Sequence, residues 1–238
     1  TLKRVNTTVI NRIKRLKDLG YISGSTTLNG GVAQFDNNAT FGSGVLTSNG
    51  GAIEATTNNL TLANLVTLGT GGLTVQGAAT GLTLSGLISG STGLTKAGTG
   101  ELILSGANTF QGGTTLNAGT LTLGDAAALG TGALTVAGAG TLQSNAALTT
   151  SNAITLNANL TVGGVNPLTL GGVVSGSSGL IKEGVSSLAL TGNNTYSGTT
   201  ALNAGSLVVG SNTALGTSVL NATAGTQLGA SAAVSLGN

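Results

Sequence analysis

The sequence contains no cysteine and no histidine, and only 6% of its residues are charged. The absence of cysteine excludes disulfides and thiolate metal sites, and the absence of histidine excludes imidazole-based nucleophilic catalysis and most zinc or copper sites. No run of apolar residues approaches the about 18 that a membrane-spanning helix needs. The chain opens at Thr1 without the apolar segment of a secretory signal, so we expect a mature or excised part of a longer protein.

The few charges are unevenly distributed, because residues 1–20 hold six of the eight basic residues and one acid, giving +5. The rest of the chain has two lysines and five acids, giving −3. Within residues 1–20, the apolar residues Val9, Ile13 and Leu16 follow helical spacing. We therefore predict a short basic amphipathic α-helix over residues 1–20.

Three roles are open for this helix. It can cap the first coil of a stacked fold, covering apolar side chains and unpaired strand edges, and this is the role we favour. It can instead dock the chain to a neighbouring subunit or to a larger assembly. Binding to a membrane surface or to nucleic acid is the third role, but the helix has no aromatic residue and the chain has no second basic patch, so we predict no nucleic-acid partner.

Residues 21–238 consist of short, largely apolar segments, which we call words, such as LTL, LIL and LTV; they are separated by Gly, Asn and Ala-Gly. Alternation of apolar residues with Thr or Ser has the period of a β-strand, and dense Gly disfavours helix. The words recur every 7–12 residues, so two or three fit a coil of roughly 20–22 residues. We predict a single parallel β-solenoid of about ten coils, roughly 50 Å long at about 4.8 Å per coil.

The chain also repeats itself with a period of 86 residues, because residues 94–124 match residues 180–210 without a gap. Such a self-match at fixed period is typical of stacked architectures. We interpret the period as four coils of the solenoid.

Residues 98–136 resemble the passenger-associated transport repeat of bacterial autotransporters, and residues 184–215 form a more diverged copy in which Val185 and Ser186 replace Thr-Gly. The resemblance does not cover residues 1–20. It implies a right-handed parallel β-helix, export across two membranes and display on a bacterial surface. It also implies an outer-membrane translocator as partner, which this sequence does not contain.

Few residues could carry chemistry, and we predict no catalytic, cofactor or metal site. Glu101 and Asp125 are about one coil apart and could be neighbours, but a third acid or Arg is not near them in the sequence. Lys96 and Lys182 occupy matching positions, which we interpret as solvated turns. Asn108 and Asn194 occupy matching turns, where we expect each side chain to bond its own backbone and the following aromatic ring to pack on a neighbouring coil.

Outward Thr residues of the LTL-type words could form a flat ladder of the kind found on ice-binding solenoids. Their irregular spacing favours an ordinary polar exterior; the residues concerned are Thr83, Thr122, Thr135, Thr155, Thr161 and Thr169.

The sequence therefore predicts a non-enzymatic, all-β protein, and the resemblance implies that it is extracellular, secreted or attached to the bacterial outer membrane. We expect a surface stalk or adhesin whose partner is a host-surface or glycan receptor. The alternative is a subunit of an extracellular filament or phage fibre that stacks end to end. Binding along a face of the solenoid, to glycan or ice, is a third and weaker possibility.

Overall fold

The structure is a computed structural model that describes residues 24–231 and 233–236. Every regular element in these two ranges is a β-strand. The helix predicted over residues 1–20 lies outside the described residues. Among the described residues there is no helix with the length and apolarity to cross a membrane.

The described chain forms two compact units. Unit 1 runs to Thr114 and also takes Ala127–Gly132, and unit 2 takes Thr115–Ala126 and the chain from Ala133 onward. The single body predicted for residues 21–238 stays a prediction.

The strands are short, mostly three to five residues long. Those of unit 1 are β1 (Thr26–Leu28), β2 (Val32–Phe35), β3 (Leu46–Ser48), β4 (Gly51–Ala55), β5 (Thr61–Leu62), β6 (Val66–Leu68), β7 (Leu73–Gln76), β8 (Leu82–Leu84), β9 (Ile88–Gly90), β10 (Leu94–Lys96) and β11 (Glu101–Leu104). The strand β12 (Thr114–Leu116) lies where the chain passes from one unit to the other. Those of unit 2 are β13 (Gly119–Leu123), β14 (Leu134–Val136), β15 (Gly140–Ser144), β16 (Leu148–Thr150), β17 (Ile154–Leu156), β18 (Leu160–Val162), β19 (Leu168–Leu170), β20 (Val174–Gly176), β21 (Leu180–Lys182), β22 (Ser187–Leu190), β23 (Thr200–Leu202), β24 (Ser206–Val209), β25 (Leu220–Ala222) and β26 (Gln227–Ala230).

Each unit consists of stacked coils whose strands form three parallel sheets, and the chain passes through the three sheets in turn. In unit 1 the strand orders are β1-β3-β6-β9, β2-β4-β7-β10 and β5-β8-β11. In unit 2 they are β14-β17-β20, β13-β15-β18-β21-β23-β25 and β16-β19-β22-β24-β26. The predicted all-β parallel solenoid is confirmed.

The register follows from the apolar pattern, because a slip by one residue would turn every Leu outward. Leu82 pairs with Leu102 in unit 1, and Leu160 pairs with Leu180 in unit 2, a step of 20 residues in each case. All four of these leucines are buried. Each coil therefore places its apolar side chains on those of the coil beneath, and the stacked columns form the core.

Outward threonines do stack, but only over a few coils. Thr27, Thr47 and Thr67 are in register in unit 1. The column Thr120, Thr141 and Thr161 of unit 2 ends at Ile181. Of the threonines in the LTL-type words, Thr135 pairs with Thr155, and Thr169 pairs with Thr149. Such short columns favour the ordinary polar exterior.

The interpretation of 86 residues as four whole coils is wrong. In unit 2, Gly119 is followed in register by Gly140, Leu160, Leu180 and Thr200, so four coils take 200 − 119 = 81 residues. The repeat equivalent of Gly119 is 119 + 86 = 205, five residues further, at the turn before β24. Strands β13 and β24, although equivalent in the repeat, consequently belong to different sheets of the unit. A surface feature repeated every 86 residues therefore moves to another face.

Candidate functional site

The polar groups that the two repeat copies share lie inside the coils. Lys96 is 2% exposed and Lys182 is 1% exposed, so their interpretation as solvated turn residues is wrong. Lys96 is in register with Val75, which is in register with Ile53, both of them core residues. The sequence carried this signal, because Lys96 stands two positions after the inward Leu94 and strand alternation turns both the same way.

Each buried ammonium group is held by backbone carbonyl oxygens. The Lys96 Nζ donates to the carbonyls of Ala97 and Gly98, both at 2.9 Å. The Lys182 Nζ donates to the carbonyls of Glu183 and Gly184, the latter at 2.8 Å. The lysines thus satisfy carbonyls where the chain turns out of the strand, and neither ammonium is presented outward for a ligand.

Burial lowers the pKa of Lys96 from 10.5 to about 8. Burial also lowers the pKa of Lys182, and the negative charge of Glu183 offsets part of that decrease. Between pH 8 and 10 the unfolded chain keeps a proton on Lys96 that the folded chain releases, so stability rises with pH in this interval. Urea unfolding at pH 7.5 and 9.5 is expected to show a gain of about 1–2 kcal/mol that Lys96→Met reduces. Burial raises the pKa of Tyr196 above 10.0, so the titration of this group affects stability only at higher pH. Equal pH dependence in wild type and Lys96→Met would contradict the prediction.

Asn108 joins three successive coils. Its Oδ1 accepts a hydrogen bond from the backbone N–H of Ile88 at 2.8 Å, 20 residues back. Its Nδ2 donates to the carbonyl of Ala128 at 2.6 Å, 20 residues on. Asn108 is 2% exposed. The expected bond to its own backbone is wrong, because the neighbouring coils offer partners that the turn itself does not.

Asn194 repeats this arrangement in unit 2. Its Oδ1 accepts from the N–H of Val174 at 2.8 Å, and its Nδ2 donates to the carbonyl of Ala214 at 2.6 Å. The aromatic residues two positions later, Phe110 and Tyr196, are fully buried. The repeated Asn is therefore a cross-coil connector.

The acids do not gather into a site among the described residues, where no group of three or more His, Cys, Asp or Glu side chains could hold a metal ion. Glu101 lies in unit 1 and Asp125 in unit 2. Glu54 Oε2 accepts from the amides of Gln34 at 3.4 Å and Gln76 at 3.3 Å. Glu54 thus takes part in a ladder of side-chain hydrogen bonds between coils.

Comparison with known proteins agrees with this geometry. The protein-family model of the passenger-associated-transport-repeat matches residues 94–123 and 180–209. The chain is 35% identical, over an alignment of 206 residues that covers 79% of this chain, to a protein of Brucella suis biovar 1 (strain 1330) named Adhesin BmaC autotransporter. No solved structure gives a significant match.

The predicted resemblance to autotransporter passengers is therefore confirmed. The same two matches indicate a protein that is secreted or attached to the outer membrane at the cell surface. The aligned part amounts to 6% of the length of the Brucella relative.

Proposed function

We propose that this chain, which carries repeats of the autotransporter passenger family, is a non-catalytic segment of a surface-displayed adhesive stalk. One observation carries the proposal. The lysines and asparagines shared by both repeats are buried and bonded between or within coils, so they build the stalk and leave contact to the outer face. The family resemblance adds two features to this proposal. The solenoid is right-handed, and an outer-membrane translocator is its partner.

The outer face offers apolar side chains on consecutive coils. In unit 2, Val165 is 76% exposed and Val185 is 78% exposed. They occupy the same turn of adjacent coils, because a Cβ on the preceding Gly184 would lie 2.5 Å from the carbonyl oxygen of Gly164. Apolar side chains that stay exposed at the surface favour contact with a partner. We propose this valine pair as part of the surface that meets a host-surface or glycan receptor.

Adhesion is tested with beads coated at equal density with the 238-residue chain, applied to cultured epithelial cells and to a glycan array. We expect binding by the wild-type chain and at least severalfold weaker binding by Val165→Ser/Val185→Ser. The matched control is Thr149→Ser, an exposed change in the same unit that leaves the valine pair intact. Circular dichroism checks that the variants fold equally. Absence of binding to both cells and array would overturn the adhesive role.

End-to-end assembly is the alternative function, and the edge strand β26 favours it. Leu228 follows Leu207 and Leu188 in register. Those two leucines are buried, whereas Leu228 is 49% exposed. Among the described residues β26 is the outermost strand of its sheet, and an outermost strand can pair with a further coil, either of the same protein or of a second copy.

Sedimentation velocity and negative-stain imaging of the 238-residue chain separate the two functions. A monodisperse particle supports the stalk segment and counts against self-assembly. Filaments that Leu228→Glu abolishes would establish assembly through β26.

A further inference from the structure

The second repeat contains a chain of three buried hydroxyl groups. The hydroxyl of Tyr196 lies 2.7 Å from Thr200 Oγ1, which lies 2.8 Å from Ser218 Oγ. All three residues are at most 1% exposed. Each hydroxyl therefore has a partner away from water, as buried polar groups require.

The first repeat keeps the central threonine and lacks both partners. The residues 86 positions earlier are Phe110, Thr114 and Gly132. Phenylalanine has no hydroxyl, and glycine has no side chain. Thr114 is 1% exposed, and its Oγ1 has no hydrogen-bond partner in the described protein. Leaving such a hydroxyl unpaired raises the unfolding equilibrium constant about fivefold to 150-fold.

A side chain at position 132 cannot restore the missing bond. A Cβ on Gly132 would lie 2.3 Å from the backbone nitrogen of Gly113 and 2.5 Å from the carbonyl oxygen of Gln111. Those distances leave no room for serine.

We propose that Thr114 Oγ1 binds one buried water molecule, which takes the place of the tyrosine hydroxyl of the second repeat. Relative to that repeat, the first lacks the phenolic oxygen that bonds the threonine, and a water at that position gives Thr114 Oγ1 the partner that Phe110 cannot supply. The water donates to the Gln111 carbonyl and shares a hydrogen bond with Thr114 Oγ1. In the first repeat, which has Phe110 and Gly132, a water therefore satisfies the threonine that the hydroxyls of Tyr196 and Ser218 satisfy in the second repeat. This inference is independent of the proposed adhesive function.

The test combines crystallography with urea unfolding of the 238-residue chain. In the wild type we expect density for an ordered water within hydrogen-bond distance of Thr114 Oγ1. Phe110→Tyr is expected to displace it, because the new hydroxyl reaches Thr114 as Tyr196 reaches Thr200. Thr114→Val, which removes the water's partner, is expected to raise the unfolding equilibrium constant about threefold to tenfold.

Thr114→Ser keeps the hydroxyl and is expected to keep the density. Thr200→Val in the second repeat gives the effect of breaking a fully paired hydroxyl. A dry site predicts the opposite sign for Thr114→Val, since removing an unpaired hydroxyl would lower the unfolding constant about tenfold. That result, or the absence of density in the wild type, would overturn the proposal.

Discussion

Asn108→Leu is expected to lower the free energy of unfolding by about 3–5 kcal/mol. Leucine has nearly the shape of asparagine and leaves no large cavity, so the loss comes from hydrogen bonding. The substitution leaves the N–H of Ile88 and the carbonyl of Ala128 without the partner that Asn108 provides. Both residues are fully buried, so each group loses its bond without gaining water, at about 1–3 kcal/mol apiece. Urea unfolding followed by circular dichroism measures the change.

Two further substitutions control this prediction. Asn194→Leu removes the equivalent connector from unit 2 and is expected to have a comparable effect. Asn203→Leu removes an exposed side-chain hydrogen bond, from Asn203 Nδ2 to Glu183 Oε1 at 2.7 Å, and is expected to cost less than about 1 kcal/mol. If Asn108→Leu cost no more than Asn203→Leu, the role of Asn108 as a connector between coils would be refuted.

The strands and the core were predictable because they depend on local alternation. Leu82, Leu102 and Leu180 occupy the buried face that the LTL and LIL words indicate. Lys96 shows where a competing rule prevailed. Its charge favoured a solvated position, although its phase with Leu94 placed it inward. Backbone carbonyls at the following turn supply the hydrogen bonds that make this burial possible.

The partners of Asn108 were not predictable, because they lie one coil away in either direction. Naming Ile88 and Ala128 requires the coil length at that position, and the sequence displays the 86-residue repeat more clearly than the 20-residue step. The two periods are not commensurate, as the passage of Gly119 and Gly205 to different sheets shows. Matching residues in the sequence therefore indicate the same interior role without indicating the same outer face.

The glycine at the end of β20 provides a second large effect. Gly176 has φ of 114° in unit 2, and a Cβ there would lie 2.3 Å from the carbonyl oxygen and 2.7 Å from the nitrogen of Leu156 on the adjacent strand. Gly176→Ala must therefore force apart two hydrogen-bonded coils and adopt a backbone conformation that L-residues avoid. These two costs, about 1–2 kcal/mol for the conformation and about 1–3 kcal/mol for the overlap, predict a loss of about 3–4 kcal/mol in the free energy of unfolding.

Gly163→Ala is the matched control, because it lies in the same unit and has no positive φ. The nearest heavy atom to its Cβ would be Thr141 Cγ2 at 3.7 Å, an ordinary contact. Alanine there is expected to change stability by less than about 1 kcal/mol and can stabilise the fold by restricting the unfolded chain. Gly90, the repeat equivalent of Gly176, has φ of 124°, and its Cβ would lie 2.2 Å from the Leu68 carbonyl oxygen in unit 1. Gly90→Ala should therefore match Gly176→Ala. If all three alanine variants unfolded at the same urea concentration, close packing of coils at these glycines would not limit stability.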